Sequence, residues 1–291
     1  MTQSARLRML GHDFAVSSTP AIVAHVDRAF RALRVEGEPA HLYELRAVAG
    51  QRSNVWTLRY DGEVLIESPS VSACYSHLCW HVNREAIDRC DDLVLLHSAS
   101  ATTPGGRAVL LPAAMESGKT TTVAGLVRAG LHYLTDEATA IEPGSGQLRS
   151  CAKPLSIDPG SWDVLAALRP EVSEETEALL EWQWQVPADS FGTVAHVGVP
   201  ALVVSPQYTA GSEVHLAPLS PADTLMLLAE NAFNLQRFGH DGFAALERIA
   251  RECPAYRMRH GDLDDAVRTI QGLLGDDPQP REDASCATTA Q

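Results

Sequence analysis

The sequence predicts an α/β fold in which a phosphate-loop domain follows a smaller α+β unit. Short apolar runs alternate with amphipathic stretches of helical period along most of the chain. In mid-chain, an apolar strand, a loop that ends in SGKT at 117–120 and a helix follow one another directly. We therefore expect an α+β domain at 1–92, the phosphate-loop domain at 93–275 and a disordered tail at 276–291.

The composition excludes several classes of protein. The chain has 291 residues, 45% of them hydrophobic, which is enough for a sizeable core. Its formal net charge of −14 argues against nucleic acid and anionic lipid as general partners. No apolar run reaches the roughly 18 residues that span a bilayer, and the N-terminus lacks the apolar core of a secretory signal. These features, together with six scattered cysteines, favour a cytoplasmic protein with free thiols.

The first domain reads as two helices and a set of strands. Pro20 follows good N-cap residues, and apolar residues then recur at helical spacing up to Leu33. Asp61-Gly62 lies between two apolar runs and predicts a β-hairpin. The stretch at 70–90 has the period of a second helix.

That second helix carries two cysteines and two histidines that could be considered as metal ligands. The cysteines are not spaced as a zinc pair, although the histidines lie four residues apart. We therefore favour an ordinary helix whose side chains are satisfied by packing. The four residues are Cys74, His77, Cys79 and His81.

The phosphate-loop domain alternates strands and helices to its end. Gly130 stops the helix that begins at Lys119, and the strand that follows should return beside the strand before the loop. The remaining expected elements are strands at 92–102, 106–114, 132–143, 147–157, 197–208, 212–219 and 255–261, and helices at 173–186, 220–238, 242–252 and 262–274.

The loop at 113–120 has the chemistry of a phosphate site. In the pattern G-x-x-x-x-G-K-[ST], backbone N–H groups and the helix N-terminus face phosphate oxygens, the lysine reaches the outer phosphates, and the hydroxyl holds Mg²⁺. Here Ala113 replaces the first glycine, and Glu116 adds like charge. The alternative is a helix that merely begins with SGKTTT. The candidate nucleotide-binding residues are Ala114, Met115, Glu116, Ser117, Gly118, Lys119, Thr120 and Thr121.

An acidic pair and a histidine lie on the flanking strands. Asp136 and Glu137 follow the loop helix, where one carboxylate can bind Mg²⁺ and the other can accept a proton from an attacking hydroxyl. Since side chains alternate along a strand, the two acids should face different ways, and we expect Asp136 to be the chemical one. His97 would either orient that carboxylate or be a satisfied core histidine. The alternative for the acids is an ordinary acidic strand end.

Lysine is rare in this chain. All but two of its 23 Lys and Arg residues are arginine, and the two are Lys119 and Lys153. A lysine kept against such a bias suggests a position that needs a compact ammonium group. Lys119 lies in the loop, and Lys153 is therefore a candidate substrate contact.

The stretch at 95–141, with its histidine strand, loop, helix and acidic pair, resembles the catalytic domain of HPr kinase/phosphorylase and its relatives. The likeness extends over 92–274, including KPLSI at 153–157. It implies a P-loop fold related to phosphoenolpyruvate carboxykinase, with a mixed sheet and flanking helices. It also implies ATP- and Mg²⁺-dependent phosphorylation of a serine hydroxyl on a protein or peptide, in some relatives within natural-product pathways.

The resemblance also implies roles for single residues. Lys119 would contact phosphates, Thr120 would bind Mg²⁺, Asp136 would be the base and Glu137 a metal or support residue. His97 would assist the base. The chain departs from the family in Ala113, in Glu116 and in an Asp-Glu pair where Asp-Asp is usual. It has no counterpart of the signature for the reverse reaction, so we expect no phosphorylase activity.

Two other functions stay open at this point. One is a non-catalytic nucleotide-binding module, suggested by Ala113 and Glu116. The other is a kinase that acts on the hydroxyl of a small molecule. Related kinases often assemble into homo-oligomers, and the sequence leaves the oligomeric state open.

Overall fold

The computed structural model describes residues 2–49 and 54–275. The expected tail at 276–291 lies outside the described residues. The described part is a mixed α/β structure built on two larger sheets and six α-helices.

The first unit is a six-stranded sheet with two helices. Its strand order is β1-β3-β4-β5-β6, with β2 paired to β3. Apolar side chains of both helices join those of the sheet in one core. The elements are β1 Thr2–Gln3, β2 Leu7–Met9, β3 His12–Ser18, α1 Pro20–Ala29, β4 His41–Ala49, β5 Asn54–Tyr60, β6 Glu63–Ser68 and α2 Val71–Arg89.

Local signals in this unit are confirmed. The hydroxyl of Thr19 accepts a hydrogen bond from Ile22 N at the start of α1, with Pro20 in the first turn. Asp61 and Gly62 both have positive φ, at 48° and 88°, as a two-residue turn between β5 and β6 requires.

The second unit is an eight-stranded sheet with the order β11-β10-β7-β8-β14-β16-β15, and β9 also pairs with β7. The strands β8, β14 and β16 are parallel, so their carboxyl ends lie at one edge. The elements are β7 Val94–Thr102, β8 Arg107–Pro112, α3 Lys119–Arg128, β9 His132–Thr135, β10 Ala138–Ile141, β11 Leu148–Arg149, β14 Val197–Tyr208, β15 His215–Pro218, α4 Pro221–Glu230, α5 Leu235–Glu252, β16 Ala255–His260 and α6 Leu263–Leu274.

Helices cover both faces of this second sheet. On β8, Val109 and Leu111 pack with residues of α3 and α6, whereas Ala108 and Leu110 pack with residues of α4 and α5. The strand is therefore apolar on both sides, which is why its sequence reads as a continuous hydrophobic run.

Several sequence predictions in this unit are wrong, among them the strand expected at 147–157, which is divided into Leu148–Arg149 and Leu155–Ile157. The run at 132–143 is not one strand: it bends at Asp136 and Glu137, and both resulting strands pair with β7. Because β7 lies between them and β8, the acidic pair does not stand directly beside the loop strand.

The helix expected at 173–186 is also absent. This segment forms a short 3₁₀ turn at Glu177–Leu180 and then strand β13 Trp184–Val186, which pairs with β12 Leu155–Ile157. The ring of Trp184 stacks on Trp162 at 5.0 Å, so packing of a large aromatic side chain decides the local structure there. The helix predicted at 220–238 ends at Glu230 as α4, and its last residues belong to α5, which runs to Glu252 and is kinked at Gly239.

Candidate functional site

The loop between β8 and α3 places the start of a helix at the carboxyl edge of the sheet. Gly118 is the N-cap of α3 and has φ +94°, a conformation that glycine adopts without strain. Within the described residues, no side chain caps this helix end. The first-turn N–H groups of α3 are therefore suited to bind an anion.

Lys119 is folded beneath this loop. Its Nζ donates hydrogen bonds to the carbonyl oxygens of Ala113 at 2.8 Å and Ala114 at 2.7 Å, and the residue is only 7% exposed. Burial lowers the pKa of Lys119 to about 8, against the opposing effect of Glu137 and Asp136. Its ammonium group is thus held by carbonyl dipoles, with two carboxylates near enough to act on its charge.

The tip of the loop is open to solvent. Ala114, Met115 and Glu116 are exposed, and Glu116 has a positive φ of 60°. A non-glycine residue in this region is uncommon and strained. The side chain that adds like charge to the loop is therefore also the one that makes its backbone conformation costly.

Asp136 is buried and saturated with donors. It is 2% exposed, and its Oδ1 accepts a hydrogen bond from the Tyr133 hydroxyl at 2.8 Å. Its Oδ2 accepts one from Ser156 N at 3.2 Å. The same Oδ1 lies 2.8 Å from Nζ of Lys153. Three donors around one buried carboxylate hold it in position.

Lys153 completes this buried pair. It is 2% exposed, and its ammonium group also donates to Pro154 O and Ser156 Oγ, both at 3.1 Å. Burial opposes the charge, yet Asp136 and Glu137 outweigh it and raise the pKa of Lys153. With three partners the ammonium has no donor left for a ligand, so the structure does not support the expected substrate contact.

Glu137 faces the other way. Its side chain is 35% exposed, and its Oε1 lies 3.9 Å from Nε2 of His97. This distance is too long for a hydrogen bond. Burial is the main cause that raises the pKa of Glu137 above its ordinary value. Glu137 is therefore less buried than Asp136, although both carboxylates act on the charges of Lys119 and Lys153.

His97 lies beside the carboxylate of Glu137. Burial, and then the charge of Lys119, lower the pKa of His97 to about 4. Its ring also approaches Phe233, with 5.5 Å between the ring centroids. The histidine is neutral at pH 7 and is near Glu137, the exposed member of the acidic pair.

The turn after β12 was missed by sequence reasoning. Ser161 Oγ and Thr121 Oγ1 lie 2.7 Å apart, which ties this turn to the first turn of α3, where Thr120 is partly exposed. Asp158 in the same turn is exposed, and its charge adds to the rise in the pKa of Glu137. No motif pointed to Asp158, because its place depends on the β12–β13 pairing.

Two further residues reach the loop from the parallel strands. The N–H of Tyr208, the last residue of β14, donates to Ser117 O at 3.1 Å. His260, the last residue of β16, has its Nε2 3.8 Å from where a Cβ on Gly118 would lie. Ligands bind at the carboxyl ends of parallel strands in α/β sheets, so the predicted strand ends could have indicated both residues.

The four residues considered as metal ligands in α2 do not converge. Cys74 and Cys79 are buried in the core, His77 stacks near Trp80, and His81 Nδ1 lies 2.8 Å from the Tyr43 hydroxyl. Within 2–49 and 54–275, no three His, Cys, Asp or Glu side chains are placed to hold a metal ion. The five cysteines of these ranges are free and buried.

The chain matches none of the known protein-family models, and no curated protein matches it either. In the part of the chain that the structure describes, no helix has both the length and the apolar character needed to cross a membrane.

Proposed function

We propose that this protein is an ATP-dependent phosphotransferase whose nucleotide phosphates lie at the loop between β8 and α3. One observation carries the proposal: buried Lys119 lies under an uncapped helix N-terminus, with carboxylates near enough to act on its charge. The likeness of the stretch at 95–141 to the HPr kinase group supports a P-loop fold of that type. It also supports a serine hydroxyl of a protein or peptide as acceptor.

The residues at the loop fit a Mg²⁺–nucleotide complex. Their donors are hard oxygen atoms, the type that Mg²⁺ prefers, and Mg²⁺ takes its remaining ligands from phosphate and water. Thr120, with Asp158 through water, would hold the ion, which neutralises charge on the phosphates when bound. Ser117 Oγ and His260 Nε2 are buried without a hydrogen-bond partner among the described residues, which is typical of atoms that contact a ligand.

The binding step follows from the loop geometry. An anion at the N-terminus of α3 competes with the carbonyl oxygens of Ala113 and Ala114 for the ammonium of Lys119. The phosphate wins, because it adds the Coulomb attraction of an opposite charge, which a neutral carbonyl oxygen does not supply. Lys119 therefore moves from the loop carbonyls to the phosphate and stabilises the charge that develops during transfer.

The proton of the attacking hydroxyl goes to Glu137 in this proposal. Its side chain is partly exposed, and its raised pKa makes its carboxylate a stronger base than one of ordinary pKa. Asp136 was expected to be the base, but three donors and burial keep it from a substrate hydroxyl. Asp136 and Lys153 instead fix the bend on which Glu137 stands.

Thermal unfolding in the presence of Mg-ATP tests the site. At 100 times the Kd, a bound nucleotide stabilises the fold by about 2.7 kcal/mol, and we expect this shift for the native chain but not for Lys119→Ala. Arg128→Ala, at the exposed last residue of the same helix, is the matched control and should keep the shift. An equal shift in Lys119→Ala, or none in the native chain, would refute the proposal.

A labelled-phosphate assay tests transfer. The chain is incubated with γ-labelled ATP and the products of neighbouring genes, and we expect one of these proteins or peptides to gain the label. The second candidate function is a nucleotide-binding module without transfer, which the strained and acidic Glu116 favours. If Mg-ATP stabilises the chain but no protein, peptide or small molecule gains the label, the function is that of a nucleotide-binding module without transfer.

A further inference from the structure

His260 is a buried imidazole beside the loop, and the proposed reaction gives its ring no proton to take up or release. It is 3% exposed, and its Nε2 is fully enclosed without a hydrogen-bond partner among the described residues. A buried polar atom without a partner is destabilising, so such an atom calls for a specific explanation. Its position at the end of β16 places it against the N-cap of α3 rather than in the core.

The surroundings of His260 indicate which nitrogen is free. Its Nδ1 lies 3.3 Å from the carbonyl oxygen of Asp262, so Nδ1 carries the hydrogen in the neutral ring. Its Nε2 then holds a lone pair and lies 3.8 Å from the position of a Cβ on Gly118. The neighbouring residue Ser117 supplies the second buried atom without a partner at the N-cap of α3, its Oγ, among the described residues.

We propose that His260 Nε2 contacts a phosphate oxygen of the ligand at the loop, and that the ring takes up one proton when the ligand binds. This inference rests on the proposed nucleotide site. In the free protein a lone pair at Nε2 would repel an anion, whereas the protonated ring donates from both nitrogens. Binding and protonation are therefore linked, with Nδ1 still bonded to Asp262.

Neighbours on each side are compatible with this proton. β14 presents the ring of Tyr208, whose centroid is 5.9 Å from that of His260, and α3 presents Gly118. At the start of α6, Asp262 favours the protonated ring, while burial lowers the pKa of His260 below its ordinary value. His260 is accordingly neutral in the free protein at neutral pH, and a bound phosphate supplies the missing counter-charge.

Calorimetric titration with ATP at pH 6.5 tests the inference, because Lys119 with its pKa of about 8 is already protonated there. Titrations in two buffers of different ionisation enthalpy give the number of protons taken up. His260→Asn keeps an amide near the Asp262 carbonyl but removes Nε2. We expect roughly 10- to 100-fold weaker binding and about one proton fewer taken up than by the native chain.

His25→Asn is the matched control. His25 in α1 is also buried with an unpaired Nε2, and burial also lowers its pKa, to about 4, but it belongs to the core of the first unit. It should bind ATP and take up protons as the native chain does. A second variant, His260→Gln, puts an amide donor near the Nε2 position, so it should keep most of the affinity without the extra proton.

The outcomes separate the two proposals. If the native chain does not bind ATP, the proposed function fails. If the native chain binds but His260→Asn matches His25→Asn in affinity and in proton uptake, only the role of His260 is overturned. If His260→Asn does not fold, His260→Gln decides, and a native proton uptake in that variant overturns the inference.

Discussion

The two lysines of this chain are both buried, yet they occupy opposite environments. Lys153 lies 2.8 Å from the carboxylate of Asp136, and its pKa is raised. Among the described residues, Lys119 donates hydrogen bonds to the carbonyl oxygens of Ala113 and Ala114, and its pKa is lowered to about 8. The first ammonium is neutralised within the fold, whereas the second is held by neutral dipoles.

This difference separates the structural part of the site from the reactive part. A buried charge with a full set of partners contributes to the position of its neighbours and gains little from a ligand. A buried charge that lacks an opposite charge gains a great deal when an anion arrives. The same contrast holds between Asp136, which is saturated, and Glu137, which is partly exposed.

Removing one member of the buried pair should have the largest effect on the fold. Asp136→Asn leaves the Lys153 ammonium without its counter-charge, and we expect a loss of about 3–5 kcal/mol in the free energy of unfolding. Lys153→Met should cost a similar amount for the same reason. Urea unfolding followed by circular dichroism measures both.

The double variant Asp136→Asn/Lys153→Met sharpens the comparison. Replacing a buried ion pair by neutral groups of similar volume is often close to neutral, so the double variant should recover most of the loss. If both single variants stay within about 1 kcal/mol of the native chain, the pair does not act as a structural unit.

The second-largest expected effect is on the rate of transfer. It should follow from a change of Glu137, the partly exposed acid. Glu137→Gln removes the proposed proton acceptor, and we expect the transfer rate to fall roughly 100-fold or more, with ATP affinity unchanged. Its free energy of unfolding should change by less than about 1 kcal/mol, because the side chain is partly exposed. A labelled-ATP assay beside urea unfolding separates the two quantities.

The opposite pattern would restore the role that the sequence suggested for Asp136. Full transfer by Glu137→Gln, with a folded but inactive Asp136→Asn, would make the buried acid the base. The predicted role of His97 as the residue that assists the base would then not fit the structure, because His97 lies near Glu137.

Local rules predicted much of this fold. The cap and proline of α1, the Asp61-Gly62 turn and the start of α3 at Lys119 depend on a few neighbouring residues, and each is present as expected. The helix expected at 173–186 failed because stacking of Trp184 on Trp162 joins residues far apart in sequence. The bend at Asp136 also depends on pairing with β7, which no local pattern encodes.

The site was predictable only where a motif carries the chemistry. Lys119, Thr120 and the acidic pair follow from the loop pattern and its spacing. The different roles of Asp136 and Glu137 do not follow from the pattern, because the burial of Asp136 depends on Lys153, a residue from another segment. Asp158, Tyr208 and His260 reach the loop through strand pairings, so no sequence motif marks them.

The smallest expected effect is a difference in pH dependence between the two lysines. The pKa of Lys119 is lowered, so between about pH 8 and its unfolded value near 10.5 the unfolded chain binds more protons than the folded one. Stability contributed at this residue therefore rises with pH in that window. Relative to Lys119→Met, the native free energy of unfolding should increase by about 1–2 kcal/mol from pH 7.5 to pH 9.5.

Lys153 should show no such slope, because its pKa is raised and its titration lies above this window. The double variant Asp136→Asn/Lys153→Met is the suitable reference, since it removes the second lysine without leaving a lone charge. Urea unfolding at four pH values gives both slopes. Equal slopes against the two references would mean that Lys119 is already neutralised within the fold, and the loop would then hold no charge that an arriving phosphate could stabilise.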